Sequence, residues 1–146
     1  MHFQRKGIHI ISAAGINYPA VLVAAAAYWL LGALWFSPAL FLKPWLKGMD
    51  KTQEQIKKSF SPLFYLWALV AAFLASYGIA RVCDWSGANG ADDGALIGLL
   101  AGVCFVLPVV IITDVFEHRS KSLSVINLFY HVVGLVVAGI IIGAWQ

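Results

Sequence analysis

The stretch FVLPVVIITDVFEHRSKSLSVINLFYHVVGLVVAGIIIGAW, residues 105–145, settles what kind of molecule this is. An apolar run gives way to a polar hairpin over residues 114–121, and a second apolar run follows that carries Asn127, Tyr130 and His131. Extended back to residue 95, the first run reaches the ~20 residues a helix needs to cross a bilayer, and the second reaches them over 123–145. Lipid reverses the usual costs. Apolar side chains are at home there, and polar ones are expensive unless paired, so function is sought first at the polar ones.

The rest of the chain agrees. Of 146 residues, 61% are hydrophobic and 12% charged, and the mean hydropathy of +0.82 lies outside the range of a soluble domain. The ten Lys and Arg residues are gathered in a few places, which serves topology and headgroup contact and excludes the broad basic surface that nucleic-acid binding requires. Cys83 and Cys104 are expected at depths ~15 Å apart, too far for a disulfide.

Residues 1–16 hold Arg5 and Lys6 before a Gly-interrupted apolar segment too short to span, and are read as an interfacial arm. Residues 17–146 form a single domain with four spans, at about 19–42, 62–82, 95–116 and 123–145. Asn17 is placed to cap the first span, and Pro38 to kink its last turns, with Trp35 and Trp45 at headgroup level. Lys43, Lys47, Lys51, Lys57 and Lys58 then mark a polar loop in which Thr52 and Gln55 fit a capping box, predicting one short interfacial helix. The expected fold is all-α: an antiparallel bundle of four transmembrane helices with that short helix between the first and second.

Small residues recur at four-residue spacing, which lets helices approach closely. In the second span they are Ala68, Ala72, Ser76 and Ala80; in the third Gly94, Gly98 and Gly102; in the fourth Gly134 with Ala138, and Gly139 with Gly143. Between the second and third spans, Arg81 and Asp84 are spaced for a surface ion pair, and Asp92 or Asp93 is placed to cap the third helix. Pro108 interrupts the third span and frees the carbonyl of Cys104, which predicts a kink. Placing the lysine-rich loop in the cytoplasm puts both termini outside, with Arg5 and Lys6 dissenting.

Two segments carry a family likeness. NYPAVLVAAAAYWLLGALWFSP and the 105–145 stretch resemble the domain of unknown function 1761 family of small bacterial membrane proteins, most specifically in GALWFSP, FVLP, Phe116-Glu117, Ile126-Asn127 and Tyr130-His131. The chain departs from that family at Asp114, where Asn is frequent, and at Val109, where a second Pro is frequent. The resemblance implies a four-helix membrane fold in the bacterial inner membrane and carries over no catalytic residue.

Around the hairpin, Asp114 and Glu117 lie one turn apart on the third span, and Asn127 and His131 one turn apart on the fourth. Antiparallel neighbours bring Asp114 and Asn127 to similar depth with His131 ~6 Å deeper, giving an expected intramembrane cluster of Asp114, Glu117, Asn127, Tyr130 and His131. The plain reading is that these residues hydrogen-bond neighbouring helices, while the sharper one makes them a proton relay or metal site. Nothing defines a ligand set, and the HExxH, CxxC and phosphate-loop signatures are absent, so no metal, cofactor or catalytic residue is expected. The surplus of small-residue faces points to a non-catalytic protein that self-associates or serves a larger membrane complex; the alternative is a small oligomeric transporter or channel using the cluster around His131.

Overall fold

A computed structural model describes residues 15–145. All but the last two residues of the expected 1–16 arm therefore lie outside the described residues. The described chain is all helical: α1 (Tyr18–Trp35), α2 (Leu42–Gly48), α3 (Gln53–Ser59), α4 (Pro62–Ser86), α5 (Ala91–Ala101), a π-helical turn (Gly102–Val106), α6 (Leu107–Glu117) and α7 (Lys121–Gly143). Four helical stretches are long and apolar enough to cross a membrane, α5 through α6 counting as one of 27 residues. This is a multi-pass membrane protein built as a four-helix bundle.

The helix ends follow local chemistry, with some departures from expectation. Asn17 caps α1, its side chain accepting from the amide of Ala20. α1 stops at Trp35 rather than near residue 42, and Pro38 lies beyond it in a turn instead of kinking it, because Pro disfavours helical geometry in the residue before it. The polar loop holds two short helices instead of one. α3 begins with the expected capping box: Thr52 Oγ1 accepts from Gln55 N, and Gln55 Oε1 accepts from Thr52 N at 2.8 Å.

α4 ends on Gly87 in the left-handed region, φ 70°. Arg81 and Asp84 do pair, at 3.4 Å, but Arg81 is only 6% exposed and lies against the Trp85 ring, so the pair has a buried Arg and a half-buried Asp at the helix end rather than lying on the surface. The third span opens at Ala91, four residues early, with Gly90 at its cap. That places Asp92 and Asp93 inside the first turn, where Asp93 accepts from the amide of Asn89 and both carboxylates face the positive end of the helix dipole.

α7 is the hub, touching α1, α2, α4, α5, the π turn and α6. Its tightest partner is α5. A Cβ on Gly94 would strike the carbonyl oxygen of Gly139, one on Gly98 that of Leu135, and one on Gly143 that of Gly90, while one on Gly102 would lie 2.9 Å from Val132. At Gly94, Gly98, Gly139 and Gly143 the two backbones thus run against each other with no side chain between them, so Gly is required there. On the other flank, the ring of Tyr28 of α1 packs against Gly134, where a Cβ would strike it. Ala72, Ser76 and Ala80 of α4 join Val21, Ala24, Ala138 and Ile142 among the buried residues between the helices. The start of α1 and the end of α7 meet at one end of the bundle, where Asn17 donates to the carbonyl of Trp145 at 3.0 Å.

The other end is looser. α4 is buried on one stripe at Ala72, Ser76, Ile79, Ala80 and Cys83, yet every residue over 62–70 is exposed, including Ala68, the expected first member of the small-residue seam. α6 buries no residue at all. The π turn separates these behaviours in the third span. It lets Leu107 N reach the carbonyl of Gly102, five residues back, and Pro108, which has no amide to offer, follows directly. The discontinuity expected at Pro108 therefore takes the form of a π turn over 102–106.

Candidate functional site

The side chains expected to form one cluster divide into three groups. Glu117 pairs with Arg119 in the exposed hairpin, outside the bundle. Asp114 accepts a hydrogen bond of 2.6 Å from Ser124, joining α6 to the first turn of α7, where the helix dipole favours a carboxylate. His131 lies two turns further along α7, and its Nδ1 is 2.9 Å from the Tyr28 hydroxyl of α1. Asn127 is half-buried between the last two groups. The expected alignment of Asp114 with Asn127 fails because the short hairpin between Glu117 and Lys121 sets Asp114 level with Ser124, about one turn before Asn127.

Tyr130 belongs to an aromatic group. Its ring lies 4.8 Å from His131, 5.3 Å from Phe36, 5.5 Å from Tyr28 and 6.4 Å from Trp35, centroid to centroid. Gly32 makes room for it, since a Cβ there would sit 2.9 Å from the Tyr130 hydroxyl. Trp35 closes the group by donating its indole N–H to the carbonyl of Ile126 at 3.2 Å. The indole keeps this part of α1 on α7 where a larger residue than Gly32 would push it off. Tyr28 was not among the expected site residues. It is one of five Tyr in the chain, and no spacing rule links position 28 to position 131.

His131 is the unusual member. On a helix turning ~100° per residue it shares a line with Ser124, Leu135, Ala138 and Ile142, all buried, and stands opposite Phe129 and Ile140, which are exposed toward lipid. It therefore points into the bundle, and yet it is exposed. The line is uncovered only at this level because the inward stripe of α4, continued back from Ala72, runs through Leu69, Ala68 and Tyr65, all of them exposed. Tyr65 is near the right depth, since its carbonyl accepts from the Trp29 indole one residue after Tyr28. The exposure of both stripes leaves an uncovered face of α7 opposite the first half of α4, referred to below as the crevice, with the Tyr28–His131 pair beneath it. His131 is ten residues from the start of α7 and twelve from its end, ~15 and ~18 Å, so this floor lies near the middle of the membrane.

GALWFSP and the Asn127 to His131 segment, far apart in sequence, thus build one site: Gly32, Trp35 and Phe36 pack on Tyr130 and Ile126, and the FVLP segment supplies the π turn that releases α6. The family model for a protein of unknown function, DUF1761, matches residues 19–143. The chain belongs to the DUF1761 family. Its match takes in all four spans of this DUF1761 protein. Among curated proteins and among solved structures, nothing matches the chain. Among the described residues, no three His, Cys, Asp or Glu side chains come together as a metal would require.

Proposed function

We propose that this DUF1761 protein is a non-catalytic component of the bacterial inner membrane that works by assembly, with further copies of itself or as an accessory subunit of a larger complex. The observation that carries this reading is the unpacked half of α4: residues 62–70 are exposed on every face, and α6 buries nothing. Lipid chains cover the outside of such helices well, but they offer no hydrogen bond to polar groups in the crevice behind them. A protein neighbour on α4 and α6 closes that crevice. The small-residue faces do not supply this surface, because Gly94, Gly98, Gly102, Gly139 and Gly143 are consumed within the chain.

The lysine-rich end, with Lys43, Lys47, Lys51, Lys57, Lys58, Arg119 and Lys121, faces the cytoplasm in this reading, and both termini face outward. Native mass measurement in mild detergent tests the assembly. The expected species is larger than one chain, and its contacts include a cysteine introduced at Trp67. A monodisperse monomer with no co-purifying partner overturns the proposal.

A second reading, a small oligomeric transporter or channel, draws on the exposed His131 at mid-depth. His131→Leu separates the two. Loss of ion or proton flux in liposomes with assembly intact favours transport, and unchanged flux removes it.

A further inference from the structure

We infer that the crevice floored by Tyr28 and His131 is a binding site for a neutral, lipid-soluble ring ketone, the chemical class of the membrane quinones. This goes beyond assembly, because both polar groups come from one chain and a neighbour lying across α4 and α6 would close the crevice over a ligand rather than replace it.

Four observations define the occupant. The first is the hydrogen-bond chemistry. The Tyr28 hydroxyl is 2.9 Å from His131 Nδ1 and 3.5 Å from the His131 carbonyl, and the shorter contact is the stronger of the two for an O–H donor. With Tyr28 donating to Nδ1, the neutral imidazole carries its hydrogen on Nε2, which has no partner among the described residues and is the group left for the crevice. In that tautomer the site presents a donor and takes an acceptor.

The second is charge. Asp114 is bonded to Ser124, two turns away along α7, and Glu117 and Arg119 neutralise each other in the hairpin, so no ionised group among the described residues faces His131. An anionic or cationic headgroup finds no counter-charge there, whereas a carbonyl needs none. The third is depth. At ~15 and ~18 Å from the two ends of α7 the floor is out of reach of phospholipid headgroups, and only a ligand that dissolves in the hydrocarbon layer arrives there. The fourth is shape. The Tyr28, Tyr130 and His131 rings lie within 4.8 to 6.4 Å of one another and make the floor aromatic, which suits a planar ring. The side walls, Tyr65, Ala68 and Leu69, are apolar except for one hydroxyl and open toward the acyl chains, giving an isoprenoid or alkyl tail its exit. The ligand is bound, and no electron transfer is part of the proposal.

The full chain in lipid nanodiscs, titrated with a decyl-substituted benzoquinone and read by tryptophan quenching, tests this, with decylbenzene as the tail-only control. Saturable quenching above the linear partition background is expected for the quinone and not for decylbenzene. His131→Leu removes the donor and is expected to weaken binding about tenfold, as is typical of one hydrogen bond in a dry site. His131→Gln keeps an N–H donor and is expected to recover most of the affinity even if His131→Leu disturbs folding. Val125→Leu, on an exposed position of α7, leaves it unchanged. Linear quenching with no saturation, equal competition by decylbenzene, or equal affinity of His131→Gln, His131→Leu and the parent chain overturns the site. Native mass of the same samples reports assembly separately, so either reading can fail alone.

Discussion

The two ends of this bundle are built from the same kinds of residue and behave in opposite ways. At the end where α1 begins and α7 finishes, α5 and α7 meet backbone to backbone through Gly94, Gly98, Gly139 and Gly143, and α4 buries Ala72, Ser76 and Ala80. At the end that carries the lysine-rich loop, α4 continues with the same small-residue spacing to Ala68 but touches too little to bury it, and α6 follows the glycine-rich segment without burying a residue. A small residue permits close approach but does not cause it. What changes between the ends is the path of the helices. The π turn at Gly102–Val106 redirects the third span, and the indole of Trp29 reaches the Tyr65 carbonyl where the second span is losing its side-chain packing.

This contrast can be broken most severely at Gly98. Replacing it by Ala places a Cβ against the carbonyl oxygen and carbon of Leu135, atoms that move only if the helices separate, so Gly98→Ala is expected to cost about 3 kcal/mol or more. Denaturant unfolding in detergent measures it, and an unchanged midpoint would show that α5 and α7 do not meet through their backbones. Next comes Ala72→Leu, which inserts three carbons where the residue is 5% exposed and is expected to cost about 2 kcal/mol in the same assay.

Tyr28→Phe probes the boundary between the two regions. It keeps the ring over Gly134 and removes the hydroxyl from His131, for an expected loss of about 0.5–1 kcal/mol, in line with hydrogen bonds between membrane helices. A larger loss would mean that the open end depends on this pair more than its exposure implies. Smallest of all is Ala68→Leu, one turn before Ala72 on the same stripe. It is expected to change monomer stability by less than about 0.5 kcal/mol, since position 68 is exposed. If Ala68→Leu instead destabilises as much as Ala72→Leu, α4 packs along its whole length and the crevice does not exist. An effect confined to assembly would mark Ala68 as part of the surface shared with a neighbour.

Much of the architecture was legible in residue order because the bilayer leaves so few options. Backbone groups in lipid must be satisfied within a helix, so four apolar runs of sufficient length imply four helices, and the short hairpin at 118–120 makes the last two antiparallel. The capping box at Thr52 and Gln55 and the Asn17 cap are local, and local rules reach them. The site was only partly legible. Asn127, Tyr130 and His131 stood out because polar groups are rare in the spans, but grouping them with Asp114 and Glu117 assumed that α6 and α7 stay side by side. The short hairpin sets Asp114 against Ser124 rather than Asn127, and Glu117 turns out to Arg119. Tyr28 had no signal of its own, being an ordinary aromatic residue until Gly134 lets its ring lie across α7.

Composition and run length, then, were enough to determine that this chain lives in a membrane, how many times it crosses, and which polar residues must find partners there, because those follow from the cost of placing single residues and single helices in lipid. Only the tertiary structure decided which partners they find. That choice depends on glycines far apart in sequence bringing α1, α5 and α7 within reach of one another, and on the absence of such contacts around Ala68, which leaves His131 facing inward and uncovered.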